Sequence, residues 1–246
     1  MDIDRCSEAA VSLLNPMPKI KIYSGLTLDR ATIAKHLPDA DVGNPIQRGD
    51  IWRDIKNRTH VVLIIDGKFH HNLPVSINEI MDGLRCGIAI YGSSSMGALR
   101  AAELYPYGMV GHGKIFEFIK NDRYFRDDYL GQTFIEDKGV PREFSQSYID
   151  LYFNMEALLL AHKISRVTFD AVTSLYRDLP YPSRNFATLK RSIDKQDDEM
   201  KWASEAISQR MGSQKRADAL SLLKFVKAEL KRIESLNRKL HRGDLE

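Results

Sequence analysis

The sequence predicts an α/β fold: an N-terminal Rossmann-like parallel sheet with flanking helices, followed by an all-helical C-terminal part. Three observations carry this. Apolar β-branched runs alternate with helical stretches from Lys19 onward. One of them, "THVVLIID", is apolar without alternation, as expected of a strand buried on both faces of a parallel sheet. Beyond about Phe144 the strand-like runs stop and helical periodicity takes over. The 246 residues therefore divide into a flexible N-terminus (1–18), an α/β core (19–143) and a helical region (144–246).

"KIKIYSG" opens the core as a strand, and Thr27 is placed to cap the helix "LDRATIAKHL", which Pro38 ends. "GDIWRDIKNR" reads as a short helix and "THVVLIIDG" as the central strand, ending at Asp66. A helix from Ser76 to Arg85 is released by Gly87 into the strand "IAIYG", which closes a β-α-β unit. Three serines then lead into an alanine-rich helix that ends before Pro106. The glycine-rich "YGMVGHG" reads as a loop and "KIFEFIKND" as a helix. In the second half "FSQSYIDLYFNMEALLLAHK" and "SRVTFDAVTSLYRDL" read as helices, with a long charged run after "PYPSRNFATL". Within that run Leu223, Val226, Leu230, Ile233 and Leu240 keep near-heptad spacing, with Asn237 at an a position. The pattern fits one amphipathic helix lying on its own domain, or the seam of a homodimer.

Composition narrows the function classes. Lys+Arg 36 against Asp+Glu 33 leaves a net charge of +3, so no global field calls for nucleic acid. The basic tail carries Asp218, Glu229 and Glu234 at helix spacing and lacks interleaved aromatics, which points to a solvated helix face. Cys6 and Cys86 form neither a disulfide framework nor a zinc pattern, and no secretory signal or membrane-spanning run is read. The expected setting is the cytoplasm. The acidic group Asp122, Asp127 and Asp128 is read as a charged loop, so no metal is expected.

The serine turn is the strongest chemical signal. Ser93, Ser94, Ser95, Met96 and Gly97 fit a small-x-Ser-x-Gly pattern resembling a nucleophile elbow, a tight strand-to-helix turn that lifts a serine above a sheet edge. Ser95 would attack and the Met96 N–H would steady an oxyanion. The same turn, with Gly92 and the hydroxyls of Ser93 and Ser94, could instead cradle a carboxylate, thiocarboxylate or phosphate at the helix N-terminus, or simply cap the helix. Arg100 stands one turn further on, able to reach an anion or to pair with Glu103. No Gly-Lys-Ser/Thr follows, so the loop is not a Walker A motif and no nucleotide cofactor is expected. Ligands of such sheets bind beyond the carboxyl ends of the strands, which brings Asp66 and Glu79 to the serine rim as candidate catalytic carboxylates. His70, with His71 beside it, is the candidate base.

Together "IYSGLTL", "LPDADV", "GDIW", "IIDGKFHHNLPVSINEI", "GSSSMGALRAAELYPYGMVGHGKIFEFIKNDRYFRDD" and "YPSRNF" resemble the TfuA-like proteins. The resemblance implies a partner role with YcaO-type enzymes, which activate a backbone amide of a precursor peptide so that sulfur replaces its oxygen. It further implies sulfide supply from a thiocarboxylated ThiS-like carrier protein, that is, thiocarboxylate hydrolysis around Ser95, Asp66 and Glu79. The alternative it implies is a non-catalytic subunit that docks on the YcaO enzyme, with the basic C-terminal helices as contact surface. One departure stands out: Ile77-Asn78 occupies the place where the family commonly carries a His-Lys pair.

Overall fold

The computed structural model describes residues 18–68, 73–137, 140–193 and 197–242. They form two compact units, one of residues 18–123 with 215–242 and the other of residues 124–214.

The first unit is built on five parallel strands: β1 (Ile20–Tyr23), β2 (Asp41–Gly43), β3 (Val61–Ile64), β4 (Ala89–Ser93) and β5 (Val110–His112). Their order is β2-β1-β3-β4-β5, with Ile22 opposite Leu63, Leu63 opposite Tyr91 and Tyr91 opposite Val110. Strand order reverses between β1 and β3, the switch point at which doubly wound sheets open a crevice for ligands. All four residues of β3 are buried because helices cover both faces of the sheet. On one face α1 (Arg30–His36) and α10 (Gln214–Arg242) pack Ile33, Leu37, Leu222, Leu223 and Val226 onto Ile20, Ile22, Val61, Leu63 and Ile65. The opposite face carries α2 (Asp50–Lys56), α3 (Ile77–Arg85) and α4 (Met96–Leu104), and α5 (Lys114–Asn121) packs beside α4.

Local signals account for most element ends. Ser76 and Glu79 form a full capping box at the start of α3, and Gly87, at φ +81, releases the chain into β4. The cap of α1 is Asp29, whose carboxylate accepts the Thr32 N–H, while the expected cap Thr27 is turned to another task described below. Two strands of this sheet lie in stretches the sequence pattern does not mark as strands. β2 and β5 are three-residue edge strands containing glycine, too short to show a period and paired on one side only.

The second unit holds the antiparallel hairpin β6 (Phe134–Asp137) and β7 (Val140–Glu143) and the helices α6 (Tyr148–Leu160), α7 (Arg166–Asp178), α8 (Phe186–Ser192) and α9 (Asp198–Arg210). Leu151, Met155, Phe169, Val172, Tyr176, Leu189, Ala203 and Ile207 fill its core. Arg184 of the "YPSRNF" stretch is fully buried in this unit. It donates to Asp128 Oδ2 at 2.7 Å and to the carbonyls of Asp128, Arg177 and Leu179, and it lies against the rings of Tyr129 and Tyr148. Asp128 also pairs with Arg126, so this carboxylate of the acidic stretch serves ion pairing.

The chain thus leaves the sheet unit after α5 and rejoins it with α10, which makes the second unit an insertion in the sequence of the first. Sequence periodicity suggests instead a single boundary near 143. A helix that covers a sheet shows the same apolar stripe as one that covers other helices, so α10 could not be told apart by its pattern. Its residues Leu222, Leu223 and Val226 are spent on the sheet. The side chains of Asn237 and Leu240 lie outside the described residues. Among the described residues no helix is long and apolar enough to cross a membrane.

Candidate functional site at the serine turn

β4 runs one residue further than its sequence suggests, and this moves the turn. Ser93 is still strand, and its Oγ donates to the His112 carbonyl at 2.7 Å, tying β4 to β5. Ser94 then takes φ +71, the left-handed region that residues with a Cβ rarely adopt. Such a backbone costs on the order of 1–3 kcal/mol and persists only where the surroundings enforce it. Ser94 is also fully buried, and its Oγ has no hydrogen-bond partner among the described residues. Ser95, the expected attacking residue, is the N-cap of α4, and its side chain makes no capping bond. The elbow is therefore Gly92-Ser93-Ser94-Ser95-Met96, with a glycine in its usual first place and Ser94 at the strained centre.

The surroundings enforce this turn through close backbone approach. A Cβ on Gly92 would stand 2.1 Å from the Gly97 carbonyl oxygen, and one on Gly97 would stand 1.8 Å from that of Ile64. Both positions accept only glycine, and the helix lies directly on the strands. The N–H groups of Ser95 and Gly97 both point at the Ile65 carbonyl, at 3.3 and 3.4 Å. They are thereby taken from any anion at this helix end. The Met96 N–H has no acceptor among the described residues, while the Met96 side chain is buried against Gly67.

The carboxylates expected at the rim have other occupations. Asp66 does lie beyond β3 at the carboxyl rim, but its Oδ2 accepts the N–H groups of Gly25 and Thr27, and its Oδ1 accepts the Thr27 hydroxyl at 2.6 Å. It fastens the β1–α1 loop at the switch point. Glu79 is fully buried, with Oε1 on the Ser76 N–H at 2.7 Å and Oε2 on the Gly49 N–H at 2.8 Å, so it joins the starts of α2 and α3. The Ser-x-x-Glu spacing 76–79 is a capping-box signal that accounts for this glutamate. Arg100 donates to the Val75 carbonyl at 3.2 Å and to Glu103 at 2.6 Å. His70 and His71 lie outside the described residues.

One imidazole that sequence reasoning passed over stands at this rim. His112 ends β5 opposite Ser93, and burial holds its pKa below the ordinary histidine value while Asp218 pulls it upward. It was hidden in a glycine-rich stretch read as loop. A separate cavity of about 210 Å³ opens at the β1–β2 edge, lined by Lys21, Tyr23, Arg53, Asp54 and Lys68 among others. There the Tyr23 hydroxyl donates to the buried Asp54 at 2.7 Å, and burial raises the pKa of both groups. Among the described residues no group of three or more His, Cys, Asp or Glu is placed to hold a metal ion.

Residues 66–185 match the family model described as TfuA-like protein. Over this span, just under half of its length, the chain is similar to the TfuA-like family. The TfuA-like segment opens at Asp66, contains the whole serine turn with β5, and runs through the buried Arg184, whereas β1 and α10 lie outside it. No curated protein matches the chain. This likeness supports an association with YcaO-dependent thioamidation.

Proposed function

We propose that this protein is an auxiliary sulfur-transfer component of backbone thioamidation, engaging the thiocarboxylated tail of a ThiS-like carrier at the Ser93–Ser95 turn and delivering sulfide to a YcaO-type partner. The observation that carries this reading is Ser94, a fully buried serine at positive φ whose Oγ lacks a partner among the described residues. A strained, unsatisfied hydroxyl at a strand-to-helix turn is maintained against its cost, and acyl chemistry is a use for it. The Met96 N–H supplies a donor for the oxyanion. Because Ser94 is buried, engagement requires the turn to open as the carrier docks. Attack by Oγ on the thiocarboxylate carbon expels hydrosulfide, and water then releases the carrier carboxylate and regenerates the serine.

The test is sulfide release from a purified ThiS-type thiocarboxylate. Wild type should release sulfide, Ser94→Ala should lower the rate at least a hundredfold, and Ser95→Ala should keep most of it. No release by wild type, or undiminished release by Ser94→Ala, ends the catalytic reading.

A second reading, docking without chemistry, is favoured by the loops of the same rim. Leu26 on the loop after β1, Leu73 between β3 and α3, and Ile77 at the first position of α3 are 52%, 61% and 42% exposed. Apolar side chains presented at one sheet edge suit a protein partner. Under this reading Leu73→Asp abolishes co-elution with the YcaO-type enzyme, whether or not sulfide is released.

A further inference from the structure

A second hydroxyl of this unit stands directly against an imidazole, an arrangement the serine turn lacks among the described residues. Ser221, exposed on α10, has its Oγ 2.9 Å from His112 Nε2. The His112 ring is stacked on Phe225, with centroids 5.0 Å apart and planes 22° from parallel, and Phe225 in turn meets Tyr91 edge-on. Asp218, Ser221 and Phe225 follow one another at helical spacings of three and four, so one face of α10 presents a carboxylate, a hydroxyl and an aromatic ring toward the end of β5. Asp218 is buried, and its Oδ2 accepts the Ile115 N–H at 2.8 Å, which fixes the negative charge at the β5–α5 junction. The imidazole is thus held by stacking, and its basic nitrogen meets an accessible serine.

We infer that Ser221 and His112 form a nucleophile and base pair able to accept an acyl group from an activated acyl donor, such as an ester, thioester or thiocarboxylate. A hydroxyl within hydrogen-bond reach of an oriented base is the general signature of an activated serine. The neutral ring, favoured by burial, leaves Nε2 free to accept the proton. In the step itself the Ser221 Oγ bonds to the acyl carbon and its proton passes to Nε2. The leaving group departs with its electron pair and takes up that proton. Water, giving its proton to the same nitrogen, then hydrolyses the acyl-serine and restores both residues.

The inference is independent of the Ser94 reading, and one experiment separates them. The full-length protein is treated with an alkyl fluorophosphonate, which phosphonylates activated serines with loss of fluoride, and the modified peptide is located by mass spectrometry. The expected result is an adduct on Ser221, retained in Ser94→Ala and reduced at least tenfold in His112→Gln, with unchanged circular dichroism in both variants. Absence of an adduct on Ser221, or an adduct whose rate ignores His112→Gln, overturns the pair. An adduct on Ser94 or Ser95 alone overturns it too, while supporting the serine turn.

Discussion

At the scale of single residues, Ser94 carries a cost that a substitution can expose. Its positive φ and its unpaired buried hydroxyl both work against folding. Glycine accepts that backbone and has no hydroxyl to desolvate. Ser94→Gly should therefore stabilise the protein by about 1 kcal/mol, which for a chain of this size raises Tm by roughly 3 °C. Thermal unfolding followed by circular dichroism checks this, and a lowered Tm would mean that Oγ makes a stabilising contact. Gain of stability with loss of sulfide release is the combination expected of a strained functional residue. Spacing in the sequence favours the third serine of the triplet, whereas the positive φ falls on the second, because β4 ends one residue later than its apolar run suggests. The sequence places Asp66 near a strand end and Glu79 in a first helical turn, and the capping box explains one Glu79 oxygen, yet the other Glu79 donor is Gly49 and those of Asp66 come from the β1–α1 loop. Contacts made 30 to 41 residues away leave no local trace.

At the scale of elements, helix starts were the most legible feature, since a cap is chemistry among neighbouring residues. The start of α7 adds a remote contribution. Its cap Ser165 is joined by Glu199 of α9, which accepts the Ser165 N–H at 2.7 Å, the Ser165 hydroxyl at 2.8 Å and the Thr168 hydroxyl. These bonds favour the ionised carboxylate, so its pKa lies below the ordinary 4.5. A group with a depressed folded pKa gives stability that is present above its unfolded pKa and lost as pH falls through the folded one. Glu199→Gln should then lower Tm at pH 6, and the gap to wild type should close as pH falls below the ordinary glutamate value and through the depressed one. Melting curves of both proteins from pH 6 to pH 3 measure it, and a constant gap would assign the effect to shape and not to charge. Strands were less legible than helices. β3 announced itself by composition, but β2 and β5 are held by pairing with strands distant in sequence, and no run of three residues can show that.

At the scale of the whole molecule, α10 decides between two accounts of the C-terminal residues. As a basic docking tail it could be removed without harm to the fold. In the structure it instead fills one face of the sheet with Ala219, Leu222, Leu223 and Val226, and Arg216 donates to the Thr27 carbonyl in the loop at the switch point. Burying three large aliphatic side chains contributes roughly 2 kcal/mol each, about 6 kcal/mol in all, against a typical domain stability of 5–15 kcal/mol. A chain ending at residue 214 should therefore fail to form a stable sheet unit, losing its cooperative melting transition and becoming sensitive to limited proteolysis. A chain ending at residue 235 keeps all four buried residues and should melt near wild type. If the 214 truncation melts like the full-length protein and loses only the YcaO-type partner, α10 is a docking tail after all. If it unfolds, any loss of partner binding on deleting this helix reports the collapse of the sheet, and the docking surface has to be sought on the rim loops around Leu26 and Leu73.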